Sequence, residues 1–97
     1  MIVDQVTYRV KPGREQEFEA QQQEWTALMR RARGFINQVL LRSLENRTEY
    51  HAEVRWVNRD YRDRFSASQD DREGKALAQK CSALLDGPPS HRLLETI

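Results

Sequence analysis

The sequence predicts an α+β sandwich of two layers, in which helices cover one face of an antiparallel sheet. Two observations support this prediction. Segments with apolar residues at every second position alternate with segments in which they recur every three or four positions. The segments follow the order strand, helix, strand, strand, helix, strand, with the second helix broken in two. Because each long helix must bury its apolar stripe against a sheet, two layers follow.

The first strand and the first helix have the strongest patterns. A strand is predicted from Ile2 to Val10, where only Asp4 interrupts the apolar face. Lys11-Pro12-Gly13 is a turn, since proline fixes φ and glycine accepts positive φ. A helix is predicted from Arg14 to about Arg33, with Gly34 as its C-cap. Its buried stripe consists of Phe18, Gln22, Trp25, Met29 and Ala32.

Two further strands are predicted in the middle of the chain. The segment from Phe35 to Ser43 carries consecutive apolar residues, which indicates partial burial on both faces. A polar connection covers Leu44 to Thr48, and the strand from Glu49 to Trp56 then alternates cleanly. One face of that strand carries Tyr50, Ala52, Val54 and Trp56. The other face carries Glu49, His51, Glu53 and Arg55.

The remaining elements are two shorter helices and a closing strand. Asn58 is the predicted N-cap of the first helix, which carries Tyr61 and Phe65. Ser68 and Asp71 resemble a capping box for the second. That helix is expected to bury Leu77, Cys81, Leu84 and Leu85, and the prolines of Asp86-Gly87-Pro88-Pro89 stop it. A strand from His91 to Ile97 completes a ferredoxin-like βαββαβ order.

The length, net charge and cysteine count of the chain limit the classes of protein to which it can belong. The 97 residues fit a single domain spanning 1–97. A formal net charge of +1 supplies no electrostatic footprint for nucleic acid or membrane. We interpret the basic cluster of Arg30, Arg31 and Arg33 as complementing the helix dipole. A single cysteine, Cys81, excludes an internal disulfide, and no signal peptide or apolar span is apparent. We therefore expect a cytoplasmic protein.

The sheet face without helices has two open interpretations. Polar residues of the first and third strands, such as Thr7 and His51, are mixed there with Val3 and apolar residues of the second strand. Such a face suits self-association. It also suits a solvated antiparallel sheet. The residue pattern favours neither.

The order and spacing of several short motifs resemble the antibiotic-biosynthesis-monooxygenase family over essentially the whole chain. These motifs are Lys11-Pro12-Gly13 after a strand, Gly34-Phe35 after a long helix, and Trp56 before a broken helix. The resemblance implies a homodimer with a shared α+β barrel and a pocket between sheet and helices. It also implies activities that range from cofactor-independent oxygenation of phenolic polycycles to haem degradation.

The resemblance transfers only in part to individual residues. Trp56 matches the tryptophan of the anthrone-type oxygenases, and Tyr61 matches their tyrosine with a slip of one residue. Ala52 stands where they have an asparagine, and Lys75 falls near their arginine. Alanine offers no hydrogen bond and lysine lacks the planar fork. For haem degradation, Lys75 stands where the axial histidine is needed, with Val6 and Phe65 at other required positions. Haem chemistry is therefore disfavoured.

Seven residues form the predicted site. Trp56, Lys75 and Asp4 are the candidate catalytic residues. A buried Asp4, with a pKa raised by desolvation, would act as a base toward a phenolic proton. The candidate substrate-binding residues are Tyr8, Tyr50, Tyr61 and Phe65.

Simpler roles for these residues stay open. Trp56 would also suit the core, the tyrosine hydroxyls would also suit the surface, and Asp4 would also suit an exposed strand end. His51 is expected at a dimer interface, His91 in solvent, and Cys81 in the core.

Two functions remain for such a site. The first is a cofactor-independent monooxygenase, an oxidoreductase acting on a phenolic or quinol-like aromatic compound. The alternative is a non-catalytic dimeric module that binds small ligands or is associated with stress. We expect no metal, because two histidines that are far apart in sequence give no metal-binding pattern. We expect no cofactor, because the oxygenases that the chain resembles need none. RNA binding is not expected, since the strand from Glu49 to Trp56 places charged residues on the uncovered face.

Overall fold

The computed structural model describes residues 1–68 and 72–97, which form four strands and three helices. In chain order they are β1 (Ile2–Arg9), α1 (Glu15–Met29), β2 (Phe35–Arg42), β3 (Glu49–Trp56), α2 (Arg59–Ser68), α3 (Arg72–Ser82) and β4 (Ser90–Glu95). The strands pair antiparallel in the order β2-β3-β1-β4, so the predicted ferredoxin-like fold is confirmed. None of the described helices combines the length and apolarity needed to cross a bilayer.

The register of the sheet decides which side chains meet under the helices. Val6 pairs with Ala52 on one side and with His91 on the other. Asp4 pairs in the same way with Val54 and Leu93. Because directly paired residues share a face of the sheet, these side chains all lie on the helix-covered face. The alternation predicted for β1 and β3 is confirmed.

A β-bulge near the start of β2 changes which of its residues face α1. Phe35 pairs with Trp56, and Gln38 pairs with Val54. A regular register would pair Asn37 with Val54. The extra residue turns Gln38, rather than Asn37, toward the helices. The bulge therefore places an amide side chain on the buried face.

Aromatic side chains form the core at both ends of the sheet. Phe18 of α1 lies between Tyr8 and Tyr50, with ring centroids 5.0 and 4.8 Å away. At the other end, Trp56 contacts Phe35 at 5.7 Å. The helices thus bury their stripes against both ends of the sheet, and a cavity lies between them.

The first helix is shorter than predicted. It ends at Met29, and turns continue to Gly34 through hydrogen bonds such as Ala32 N–H to the Met29 carbonyl at 2.9 Å. Gly34 is therefore not the C-cap of α1. It has a φ of +84°, and a Cβ at this position would lie 2.4 Å from Cγ of Tyr61. The positive φ and the contact with α2, and not the end of α1, require glycine here.

The basic cluster after α1 also differs from the dipole interpretation. The last turn of α1 contains no basic residue. Arg31 instead forms an ion pair of 2.8 Å with Glu73 of α3. At least part of the cluster therefore joins the turns after α1 to α3.

The C-terminal half follows the predicted order with small shifts. Asn58 caps α2 as predicted, because its Oδ1 accepts the Tyr61 N–H at 3.1 Å. The capping box predicted with Asp71 lies outside the described residues. Leu84 and Leu85 are buried but follow α3 instead of lying on it, since that helix ends at Ser82.

Candidate active site

A cavity of about 340 Å³ lies between the helix-covered sheet face and the three helices. Most of its lining is apolar, and its aromatic part consists of Trp25, Trp56, Phe65 and the Tyr8 ring. Apart from Ser66 and Ser82, the polar side chains of the lining lie in two groups. One consists of Asp4, Arg62 and His91, and the other of Gln21, Gln22 and Gln38. An apolar cavity with a few polar groups is the usual form of a small-molecule site.

The aromatic part of the lining is held by contacts between rings. Phe65 of α2 lies 5.3 Å from Trp56 and 5.7 Å from Trp25, measured between centroids. The contact with Trp25 is edge to face, a favourable arrangement for aromatic pairs. These rings present flat apolar surfaces to the cavity, which suits a planar ligand.

The first polar group is centred on Asp4. Its Oδ2 accepts hydrogen bonds from Nε and Nη2 of Arg62 at 3.4 and 3.3 Å. Its Oδ1 is buried and accepts no hydrogen bond from the described residues. Nδ1 of His91 lies 3.5 Å from Oδ1. His91 is 54% exposed while Asp4 is 14% exposed, so the imidazole lies between the carboxylate and solvent.

The pKa of Asp4 is lower than its ordinary value, contrary to the expectation from sequence. Burial raises this pKa, as predicted, but contacts with His91 and Arg62 together outweigh it. The sequence pattern left burial of Asp4 as one of two alternatives, and it gave no sign of the cationic partner from α2. Asp4 is therefore an ionised carboxylate at neutral pH, which is the state that accepts a proton.

The second polar group is a chain of hydrogen bonds between glutamines. Gln38 donates to Oε1 of Gln22 at 3.0 Å, and Gln22 donates to Oε1 of Gln21 at 3.1 Å. Gln21 donates to the Leu77 carbonyl at 3.2 Å, and the Thr26 hydroxyl donates to Gln38. The chain joins β2, α1 and α3 along one wall of the cavity.

Four of the seven predicted site residues line the cavity, namely Asp4, Tyr8, Trp56 and Phe65. The other three are not among its lining residues. Tyr50 donates its hydroxyl proton to Glu19 at 2.5 Å, Tyr61 packs over Gly34, and Lys75 is exposed on α3. Arg62 is the cation that lines the cavity beside Asp4.

Several residues of the site were not predicted from the sequence. Arg62 gave no signal, because an arginine on a short polar helix is ordinary. His91 was expected in solvent, yet its half-exposed ring reaches Asp4. Gln22 did give a signal, since it is a polar residue inside the apolar stripe of α1. Ala52 lines the cavity with a methyl group.

The chain belongs to the antibiotic biosynthesis monooxygenase family, whose sequence profile matches residues 1–76. This match agrees with the resemblance derived from the motifs. Among curated proteins, none matches the sequence significantly.

Solved structures show the same fold at low sequence identity. SnoaB, a cofactor-independent oxygenase from Streptomyces nogalater, is 23% identical with a TM-score of 0.80, over 99% of this chain and 93% of that one. A conserved protein from Methanosarcina mazei is 19% identical with a TM-score of 0.83, over 99% and 92%. Rv0793 from Mycobacterium tuberculosis is 14% identical with a TM-score of 0.79, over 99% and 94%. At such identities the likeness defines the fold.

Proposed function

We propose that this chain is a cofactor-independent monooxygenase that acts on a phenolic or quinol-like aromatic substrate of the anthrone type. The observation that carries this proposal is an ionised carboxylate, Asp4, in a cavity otherwise lined mainly by aromatic and aliphatic side chains. A base in such a place can take a proton from a weakly acidic aromatic compound. Membership of the family and the shared fold with an oxygenase support the same reaction class.

The proposed reaction balances without a separate reductant. Loss of a proton from the ring-flanked CH₂ of an anthrone gives a delocalised anion, which transfers one electron to O₂. The resulting radical pair forms a C–O bond, and the peroxide takes up a proton. Loss of the second C–H proton breaks the O–O bond and releases water. The CH₂ becomes C=O, one oxygen atom enters the product, and the other leaves as water.

Each lining residue has a distinct role in this proposal. Asp4 accepts the first proton, and Arg62 keeps it ionised until the substrate binds. Trp56 and Phe65 hold the planar substrate, while Tyr8 orients one of its oxygens. Lys75, a candidate catalytic residue from the sequence, is not among the lining residues, and Arg62 is the better placed cation to stabilise negative charge on the substrate.

Oxygen consumption in the presence of an anthrone tests the proposal. We expect turnover by the natural chain and a loss of at least about 100-fold in Asp4→Asn, since general-base catalysis contributes about this much. Trp56→Ala should weaken substrate binding. Asp86→Asn is the matched control, because Asp86 is an exposed carboxylate that does not line the cavity. Full turnover in Asp4→Asn would remove Asp4 from the mechanism.

The alternative function is a non-catalytic module that binds the same class of ligand. Ala52 favours it, because a methyl group faces the cavity where the anthrone-type oxygenases carry an amide. The same experiment separates the two functions. Tight binding of anthrones and related phenols with no oxygen uptake for any of them would support the binding module.

We further propose that the chain forms a homodimer through the uncovered sheet face. Val39, Leu41 and Leu94 are 39%, 45% and 40% exposed there, although all three are apolar. Polar contacts run between them, including Gln5 to Glu53 at 3.1 Å and Thr7 to His51 at 3.1 Å. An apolar surface with internally bonded polar groups loses little when a second copy covers it.

Sedimentation of a single charged variant tests the dimer. Leu41→Glu should shift the chain toward monomer, because a carboxylate would be buried without a partner. Ala27→Glu is the control, since it adds the same charge to an exposed position of α1 on the opposite side of the sheet. A monomeric natural chain, or a dimer that survives Leu41→Glu unchanged, would contradict the proposed interface.

A further inference from the structure

The row of hydrogen-bonded glutamines, Gln21, Gln22 and Gln38, is unusual because two of them are almost fully buried in a small domain. Gln21 is 2% exposed and Gln22 is 3% exposed, and they are the buried polar residues of the described chain. Burial of an amide is unfavourable unless its groups are hydrogen-bonded. A leucine at either position would fill the same stripe of α1 without that requirement, so packing alone does not explain them.

The donor and acceptor of each hydrogen bond between the glutamines follow from the last acceptor in the row. The Leu77 carbonyl can only accept, so Gln21 must donate to it through Nε2. Oε1 of Gln21 then accepts from Gln22, and Oε1 of Gln22 accepts from Gln38. Each amide therefore uses one of its two N–H groups within the chain. The second N–H groups of Gln21 and Gln38 donate to no acceptor among the described residues.

Tyr8 adds a further donor beside those of Gln21 and Gln38, and we call these three side chains the wall. Oε1 of Gln22 already accepts from Gln38, and one N–H of Gln22 donates to Gln21, so its second N–H is left to donate to the phenolic oxygen of Tyr8. This hydrogen bond lowers the pKa of Tyr8. Burial has the larger effect and raises the pKa, so the hydroxyl keeps its proton at neutral pH. The hydroxyl proton of Tyr8 is then a third donor that bonds to no acceptor in the described part of the chain. Tyr8, Gln21 and Gln38 all line the cavity.

We propose that this wall binds the oxygen substituents of the substrate, and that it selects planar aromatic ligands with carbonyl or phenolate oxygens along one edge. The donors complement oxygens that only accept hydrogen bonds, and they stabilise an oxygen that gains negative charge when Asp4 removes a proton. An aromatic hydrocarbon of the same outline would leave the donors unpaired, and it would bind more weakly. The proposal rests on the cavity of the proposed function but specifies its ligand.

The bulge in β2 supports a role beyond packing. A regular register would turn Gln38 away from the cavity, and the bulge brings it to the face where Val54 lies. Bulges often re-aim a side chain next to a functional site. The tie between α1 and α3 does not depend on Gln38, because Gln21 reaches Leu77 directly and Lys80 pairs with Glu24 at 3.0 Å.

Ligand titration without turnover tests the wall. Trp25 and Trp56 line the cavity, so their fluorescence reports binding of 1,8-dihydroxyanthraquinone and of anthracene. We expect Gln38→Leu and Tyr8→Phe each to weaken binding of the quinone about threefold to tenfold, the range for one hydrogen bond. Binding of anthracene should stay within about twofold, because it makes no such bond. Gln16→Leu, an exposed position of α1, is the matched control.

The outcomes are distinct. Selective loss of quinone binding in either variant supports the wall, and Tyr8→Phe suffices if Gln38→Leu does not fold, since it removes one oxygen atom. Equal loss for both ligands, unchanged quinone binding, or no quinone binding by the natural chain would overturn the inference. Oxygen uptake is measured separately. Selective binding without turnover would reject the proposed reaction and retain the wall. Turnover with unselective binding would retain the proposed reaction and reject the wall.

Discussion

Arg62 donates two hydrogen bonds to Oδ2 of Asp4, at 3.3 and 3.4 Å, across a sequence separation of 58 residues. The two side chains come from α2 and from β1. Burial of the carboxylate alone would favour its protonated form. The guanidinium and His91 reverse this preference, so the pKa of Asp4 lies below its ordinary value of 3.8. The ionic state of the candidate base therefore depends on a helix that was not predicted to contribute to it.

Replacement of Arg62 by methionine should raise the pKa of Asp4. In the natural chain the folded pKa is lowered, so Asp4 stabilises the fold above its unfolded value near 3.8 and loses this effect as the pH falls further. In Arg62→Met, the two contributions of Arg62 that lower the pKa of Asp4 are lost, so this pKa rises and the acid limb of activity should move to higher pH. The pH dependence of oxygen uptake and the carboxyl chemical shift of Asp4 by NMR both measure this.

Arg59→Met is the control for that change. Arg59 lies on the same helix but is 69% exposed, and it pairs with Asp63 at 3.6 Å instead of Asp4. Its replacement should leave the acid limb and the Asp4 titration in place. An Asp4 titration that does not move in Arg62→Met would show that the contact does not control the carboxylate.

Tyr50→Phe should lower stability without changing ligand binding. Its hydroxyl bonds to Glu19 and does not line the cavity, and loss of the bond should cost about 1 kcal/mol in the free energy of unfolding. Burial and Glu19 raise the pKa of Tyr50 to about 12. Because the folded pKa is raised, its contribution to stability is complete below pH 10 and declines toward pH 12. Tyr50→Phe should reduce this alkaline loss of stability.

Chemical denaturation at pH 7 and at alkaline pH, together with the quinone titration, checks the Tyr50 prediction. Weaker quinone binding in Tyr50→Phe at unchanged stability would place the hydroxyl in the substrate site, as the sequence suggested. Tyr8→Phe serves as the comparison, because Tyr8 does line the cavity.

Gly34→Ala should destabilise the fold more than Gly13→Ala. Both glycines have positive φ, +84° and +87°, so each substitution costs about 1 kcal/mol in backbone conformation. No atom of residues 1–68 or 72–97 lies within 4 Å of a Cβ at Gly13, whereas a Cβ at Gly34 meets the Tyr61 side chain at 2.4 Å. The clash adds roughly 1–3 kcal/mol. Thermal or urea denaturation of both variants measures the difference.

A double variant separates the two causes at Gly34. Removal of the ring in Tyr61→Ala should abolish most of the extra cost of Gly34→Ala, since both residues share one contact. Equal destabilisation by Gly34→Ala and Gly13→Ala would mean that α2 yields to the added methyl group.

The Cys81 thiol should react slowly with iodoacetamide in the native chain. Burial raises its pKa from 9.0 to about 11, so the reactive thiolate at pH 8 is about 100-fold scarcer than in the unfolded chain. Mass spectrometry of timed samples, with the urea-unfolded protein as reference, measures the two rates. Because Cys81 lines the cavity, bound quinone should slow the native rate further. Equal native and unfolded rates would contradict the burial.

Local sequence patterns were sufficient to predict the order of the strands and helices. Alternation in β1 and β3 predicted their faces, because the side chains of a strand point to opposite sides in turn. Asn58 was identified as a cap because its role needs only the next three residues. The same alternation placed Trp56, Tyr8 and Asp4 on the helix-covered face, whereas the cavity beside them was implied only by the family resemblance. The end of α1 was less predictable, since tertiary contacts decide where a weak helix stops.

By itself, the sequence determined the βαββαβ order, the two faces of the sheet and the position of Asp4 on the otherwise apolar face of β1. These features depend on periodicity along the chain. Only the tertiary structure decided the chemical state of Asp4, since its pKa depends on Arg62 and His91, which come from α2 and β4. It also decided the wall of glutamines, because a bulge re-aims Gln38 and the hydrogen-bond chain crosses β2, α1 and α3. Contacts between distant segments leave no periodic signal in a sequence, and the polar chemistry of this cavity consists of such contacts.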